Sequence, residues 1–101
     1  MTTTLHLENT VRDFDSWKAT FDKFDRFRAD KNVRSYRISR LTGSPEKVVV
    51  DLDFDSHDDA AEFAKALEKV RATPQSKDQL VDYKAPLLLT VVAERVIAAA
   101  S

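Results

Sequence analysis

Side chains that could carry out proton or metal chemistry are few in this sequence. His6 and His57 are the only histidines among the 101 residues, and there is no cysteine. The lack of thiols excludes disulfides, thiolate zinc sites, iron–sulfur clusters and cysteine nucleophiles. With two histidines in different segments, a transition-metal site would depend on carboxylates, so we predict neither a bound metal nor a cofactor.

His6 is the candidate for a general base. It precedes Glu8 on a segment that alternates apolar and polar residues, and neighbouring acids can hold an imidazole in one protonation state. The alternative is a neutral imidazole held by Glu8, by Asp51 or by a second copy of the chain, without catalysis. His57 opens a later helical segment, where we expect a solvated or capping role.

An aromatic stripe is the other feature that could serve a ligand. Aromatic residues recur at steps of three and four: Phe14, Trp17, Phe21, Phe24 and Phe27. That spacing places them on one face of a helix. Together with Tyr36 from a following strand, Trp17 and Phe21 could line a space in which a flat aromatic ligand stacks. The alternative is that these rings only fill the core.

Two charged segments have the spacing of known binding motifs but differ from them in detail. Acids fall at the positions of a calcium-binding loop: Asp51, Asp53, Asp55, Asp59 and Glu62. Ser56 stands where that loop needs glycine, and Leu52 and Phe54 alternate with the acids as in a strand, so we predict no calcium site. The basic residues over 26–40 could suggest RNA binding, but acids on the same sheet would repel phosphate. We predict no nucleic-acid partner.

Composition limits the class of protein. Hydrophobic residues make up 43% and charged residues 33%, which suits a single domain over 1–101 with its core at about residues 4–96. The formal charge of -1 gives no bulk attraction to nucleic acids or anionic membranes. The polar first residues and the interrupted apolar runs predict no signal peptide and no membrane span. We therefore expect a cytoplasmic protein.

Hydrophobic periodicity predicts the order strand, helix, strand, strand, helix, strand. In the first half, we predict a strand over 5–11, a helix from Asp13 or Asp15 to about residue 31, and strands over 33–41 and 47–54. In the second half, we predict a helix from Ser56 to the break at Thr73–Pro74, a short helical turn over 75–80 and a strand over 87–96. Residues 43–46 supply the hairpin turn. This βαββαβ order predicts a ferredoxin-like α+β fold, in which an antiparallel sheet carries both helices on one face.

The other face of that sheet, here called the open face, is the main clue to assembly. A five-residue hairpin loop would place Arg37 opposite Asp53 on it. Alternation adds His6, Glu8, Thr10, Ser35, Ser39, Val49, Asp51, Leu88, Thr90 and Val92. Because Val49 needs cover and the acids need partners, we predict a homodimer formed by packing this face against a second copy. A monomer with a solvated sheet face is the alternative.

Three passages resemble the antibiotic-biosynthesis-monooxygenase-like superfamily of small proteins. They lie at residues 10–18, 33–38 and 48–56, and the first, TVRDFDSWK, is similar to the superfamily's opening TV.DYD.WK. The resemblance covers roughly residues 5–95 and implies a dimeric α+β barrel. Members include cofactor-independent oxygenases of aromatic polyketides, haem-degrading enzymes and cyclases.

For the site, the resemblance implies Asn9 as a pocket residue, with Phe54 where haem-degrading members carry a tryptophan. Residues 75–83 also lack histidine, which argues against haem degradation. We expect the ligand-binding residues to be Asn9, Trp17, Phe21, Tyr36 and Phe54, and the catalytic candidates to be Asn9, Trp17, Tyr36 and His6. The expected function is cofactor-independent oxygenation or ring closure of a hydrophobic aromatic small molecule. The alternative is a non-catalytic ligand-binding or regulatory dimer.

Overall fold

The computed structural model describes residues 1–98. Its elements are β1 (Thr3–Val11), α1 (Phe14–Lys23), α2 (Asp25–Asp30), β2 (Val33–Leu41), β3 (Ser44–Phe54), α3 (His57–Arg71), α4 (Pro74–Gln79), β4 (Leu80–Tyr83) and β5 (Leu87–Thr90). The short turn predicted after Pro74 is α4. The first predicted helix is divided at Phe24 into α1 and α2.

The sheet is antiparallel and follows the order β2-β3-β1-β4, with β5 also paired to β1. This is the ferredoxin-like α+β arrangement that the sequence predicts. The fourth strand differs, because it is built from β4 and β5 along the same edge of β1 rather than from one run over 87–96. Pro86 lies between the two pieces and has no N–H to give to a ladder.

The interruption between β4 and β5 changes which side chains face outward. The pairing of β1 moves from Thr10↔Asp82 to His6↔Leu87, a shift of one residue in the register. A shift of one residue exchanges the two faces of a strand. Leu87 and Leu89 therefore lie on the open face beside His6 and Thr4. The prediction of Leu88, Thr90 and Val92 there is wrong, since Leu88 and Thr90 pair with Leu5 and Thr3 of the other face and Val92 lies beyond β5.

The hairpin of β2 and β3 has a tighter turn than predicted. Thr42 and Gly43 form it, with Gly43 at a φ of 87°, and β3 begins at Ser44. Arg37 consequently pairs with Asp51 instead of Asp53. Because the register differs by two residues, each side chain stays on its predicted face.

The helix starts are fixed by side-chain caps. The backbone N–H of Ser16 donates to Asp13 Oδ2 at 2.9 Å, and that of Asp59 donates to Ser56 Oγ at 3.1 Å. Each cap satisfies a first-turn amide that has no partner within its helix. Asp13, one of the two predicted candidates, therefore begins α1, and Ser56 begins α3 as predicted.

The core lies between the helices and the other face of the sheet, here called the covered face. The buried apolar residues are Leu5, Leu7, Val11, Trp17, Val48, Val50, Leu52, Phe54, Ala60 and Phe63. Alternate residues of β1 and the second half of β3 supply most of them, as period-two alternation requires. Within residues 1–98, no helix is long and apolar enough to cross a membrane.

Candidate functional site

A cavity of about 120 Å³ lies between the covered face and all four helices. Its apolar lining is Leu7, Trp17, Phe21, Phe24, Phe27, Val50, Leu52, Phe63, Leu67, Val70 and Leu80. Pockets for drug-sized ligands measure roughly 300–1,000 Å³, whereas an apolar cavity of about 150 Å³ can hold benzene. The space therefore suits a single ring better than a fused polyketide.

Three of the five expected ligand-binding residues line this cavity: Asn9, Trp17 and Phe21. The Trp17 and Phe21 rings lie 5.2 Å apart between centroids. Tyr36 and Phe54 are not among its lining residues. Tyr36 meets Phe21 edge to face at 5.2 Å and is 41% exposed at the margin of the sheet. Phe54 is fully buried and packs against the Phe63 ring at 5.6 Å.

Arg28 at the end of α2 is one of two buried cations that line the cavity. It is only 5% exposed, and its guanidinium carbon stands 3.6 Å from the centroid of the Phe21 ring. Its Nη2 donates to the Phe21 carbonyl at 2.6 Å. Its Nε is the one buried side-chain nitrogen or oxygen in the described part of the chain that has no hydrogen-bond partner. Burial lowers the pKa of Arg28, with nearby Tyr36 and acids opposing that effect.

Arg71 at the end of α3 is the second buried cation, 6% exposed. Its Nη2 donates to Asn9 Oδ1 at 2.7 Å, and its Nη1 donates to the Lys84 carbonyl at 3.4 Å. The guanidinium also stands 4.4 Å from the centroid of the Tyr83 ring. Burial lowers the pKa of Arg71 as well. A guanidinium nevertheless remains charged at neutral pH.

Reasoning from the sequence missed both arginines as site residues. The available signal was their position on the apolar stripes. Arg28 continues the series of Trp17, Phe21 and Phe24 by one more helical step, and Arg71 stands four residues after Leu67. A cation on an apolar stripe must either reach solvent or lie inside. Packing of α2 and α3 against the sheet places these two inside.

His6 lies on the open face, away from the cavity. Its Nδ1 is 2.6 Å from Asp51 Oδ1, and its Nε2 is 3.2 Å from Glu8 Oε2. The hydrogen bond with Asp51 raises the pKa of His6 most, partial burial opposes it, and Glu8 adds a smaller increase. Because side chains alternate along β1, the sheet separates this imidazole from Leu7 and Asn9 in the cavity.

The rest of the open face holds its acids with neighbouring hydroxyl groups. Thr4 Oγ1 donates to Asp53 Oδ1 at 2.6 Å, and Ser35 Oγ donates to Asp53 Oδ2 at 3.1 Å. No carboxylate lies within 4.0 Å of the Arg37 guanidinium among residues 1–98, so no ion pair joins Arg37 to Asp53 within the chain. Over the same residues, no group of three acids or histidines is placed to hold a metal ion. His57 is exposed at the start of α3, 4.0 Å from Asp58.

The chemistry available in the cavity is binding and charge stabilisation. Its polar lining consists of two guanidinium groups, the side chains of Asn9 and Gln79, and hydroxyl groups. These groups donate hydrogen bonds, and the described lining contains no carboxylate or imidazole to act as a base. Gln79 Nε2 donates to Thr20 Oγ1 at 2.8 Å, which joins α4 to α1 beside the cavity.

Comparison with known proteins supports the fold. No family model matches the chain, and no curated protein matches it significantly. The solved structure of Rv0793 from Mycobacterium tuberculosis is similar, with a TM-score of 0.53 and 16% sequence identity. The match covers 95% of this chain and 100% of that chain. At this level of identity, the likeness shows a shared fold.

Proposed function

We propose that this protein binds a hydrophobic aromatic small molecule of about one ring in the cavity under its helices. The observation that carries the proposal is a largely apolar cavity with a few polar groups from separate elements. Small-molecule sites have this construction, since the apolar wall supplies affinity and the polar groups fix orientation. Trp17 and Phe21 offer ring faces for stacking.

A place in the antibiotic-biosynthesis-monooxygenase-like superfamily is part of the same proposal. The passages at 10–18, 33–38 and 48–56 support it, together with the ferredoxin-like sheet on which they lie. In that setting, a second candidate function is cofactor-independent oxygenation or ring closure. The buried donors Arg28, Arg71 and Asn9 favour it, because such groups can stabilise an oxyanion in a dry site. Binding without catalysis needs fewer groups and is our first choice.

Titration of Trp17 fluorescence tests the binding proposal, because Trp17 is the only tryptophan and lines the cavity. Toluene and benzamide serve as single-ring probes. We expect saturable quenching in the natural protein and its loss in Val70→Phe, which would fill the cavity. Val81→Phe is the matched control, since Val81 is exposed and outside the lining. No response to any probe would overturn the proposal.

Oxygen uptake separates the two candidate functions. A probe that binds is incubated with the natural protein in air, and dissolved oxygen is followed with an electrode. Uptake above that of the Val70→Phe variant would favour oxygenation. Binding without uptake would support the non-catalytic function for the probes used.

We also propose a homodimer in which the open face packs on a second copy. Its charges suit a two-fold contact, because Arg37 stands on β2 while Asp51 and Asp53 stand on β3 beside it. Exposed Leu87 and Leu89 would provide the apolar contact. An isologous interface of this kind brings one patch against itself.

Light scattering tests the assembly. We expect twice the chain mass of 11.5 kDa for the natural protein. Leu89→Glu should return it to a single-chain mass, whereas Lys65→Glu, at an exposed position of α3 on the opposite side of the sheet, should leave it dimeric. A single-chain mass for the natural protein would contradict the homodimer.

A further inference from the structure

Two cations stand in the cavity without a buried counter-charge. Arg28 has one carboxylate within 4.0 Å, Asp25 Oδ1 at 3.7 Å, and that aspartate side chain is 71% exposed. Arg71 has none within 4.0 Å among residues 1–98. Its side-chain hydrogen bonds go to the neutral oxygens of Asn9 and Lys84. The cavity therefore holds an excess of positive charge.

Such an arrangement is costly in the unliganded protein. A charge removed from water loses its hydration, and neutral oxygens and aromatic rings replace only part of it. Arg28 shows the shortfall most directly, because its buried Nε–H has no acceptor. An acceptor that also carried negative charge would meet both needs.

The shape of the donors indicates the class of anion. A guanidinium presents parallel N–H groups that fit a planar carboxylate, and such charge-assisted hydrogen bonds are stronger than neutral ones. The remaining wall is apolar and aromatic, and the volume is that of one ring. A benzoate-like molecule has both parts.

We propose that the ligand of this cavity is an aromatic carboxylate, whose ring lies among the apolar side chains and whose carboxylate is held by Arg28, with Arg71 adding positive charge to the cavity lining. This inference rests on the proposed binding function and adds the charge of the ligand. It makes Arg28 a specificity-determining residue, since a neutral ligand of equal size could accept a hydrogen bond from Arg28 Nε but would not balance the buried charge.

The decisive experiment compares benzoate with benzamide, which has the same ring and nearly the same shape but no charge. Trp17 fluorescence and calorimetry give the two dissociation constants at one pH and ionic strength. We expect benzoate to bind the natural protein about tenfold or more tightly than benzamide, because a hydrogen bond to a charged group exceeds a neutral one by that order.

Three variants locate the effect. Arg28→Met should weaken benzoate by about tenfold while leaving benzamide within about twofold, and Arg71→Met should weaken benzoate by a smaller factor. Arg34→Met is the matched control, because Arg34 is an exposed arginine paired with Asp55 outside the cavity, and it should leave both constants unchanged. Circular dichroism and urea midpoints check that each variant is folded.

The possible failures are distinct. If benzamide binds as well as benzoate, or better, the carboxylate inference is wrong and the binding function stands. If both probes fail while the protein is folded, the binding function is wrong and the inference falls with it. A preference for benzoate that persists undiminished in Arg28→Met would also overturn the assignment to this residue. The comparison in the natural protein remains decisive even if a variant does not fold.

Discussion

The two faces of the sheet handle charge differently. On the open face, His6 contacts Asp51 and Glu8, and Asp53 accepts hydrogen bonds from neighbouring hydroxyls. Between the covered face and the helices, Arg28 of α2 and Arg71 of α3 are buried with mostly neutral partners. The open face is partly solvated, so each residual charge costs little there. The side chains between the covered face and the helices are buried, and unbalanced charge there is a reason to expect a ligand.

The largest difference between the faces should appear in packing. Leu52→Ala on the covered face should lower the free energy of unfolding by about 2–5 kcal/mol, because Leu52 is almost fully buried and its loss leaves a cavity. Leu89→Ala on the open face is the matched control and should cost less than about 1 kcal/mol for the isolated chain. Urea denaturation at a dilution that keeps the chain monomeric measures both. Equal losses would show that the faces are not packed differently.

The next effect concerns the acceptor of a buried cation. Asn9→Leu should lower the free energy of unfolding by about 2–3 kcal/mol, because it leaves an Arg71 N–H without its acceptor. Thr10→Val, the next residue on β1 but on the open face, should cost less. The double variant Asn9→Leu with Arg71→Met should recover part of the loss, since the cation is then gone. Additive losses in that cycle would contradict the coupling.

A pH-dependent effect should appear on the open face. The pKa of His6 is raised above its ordinary value of 6.5, chiefly by the hydrogen bond with Asp51. The stability that protonated His6 contributes is therefore full below that value and is lost as the pH rises through the folded pKa. Urea midpoints of the natural protein and His6→Gln should differ more at about pH 6 than at about pH 9.

Proton NMR checks the cause of that pH dependence. The His6 titration should lie above the ordinary histidine pKa in the natural protein and move down in Asp51→Asn, which keeps the shape but removes the charge. Glu8→Gln should move it less, because Glu8 contributes less than Asp51. A titration that does not move in Asp51→Asn would contradict the assignment.

The smallest effect is expected for an ion pair in solvent. Arg34 Nε is 2.7 Å from Asp55 Oδ2, and both side chains are about two-thirds exposed. Arg34→Ala should therefore lower the free energy of unfolding by less than about 1 kcal/mol, and added salt should reduce that loss further. A loss as large as that of Asn9→Leu would remove the distinction between solvated and buried cations.

Local patterns in the sequence predict most of the fold. Alternation along β1 and β3 fixes which residues are buried, because a strand exposes its two faces in turn. The caps at Asp13 and Ser56 fix where helices begin. The His6–Asp51 contact also follows from sequence, since both residues belong to the open face. Register is less local: the Thr42–Gly43 turn moved the partner of Arg37 by two residues.

Only the tertiary structure decided the character of the cavity. The sequence places Trp17 and Phe21 on an apolar stripe that lines the cavity. Tyr36 and Phe54 lie outside it, because Tyr36 belongs to the edge strand β2 and Phe54 packs on Phe63 at the end of β3. Arg28 and Arg71 look like solvent-reaching ends of helices until α2 and α3 are packed. Burial depends on neighbours that are distant in the chain. Whether a charged side chain ends in the cavity is therefore fixed by three-dimensional packing and not by the spacing of residues in the sequence.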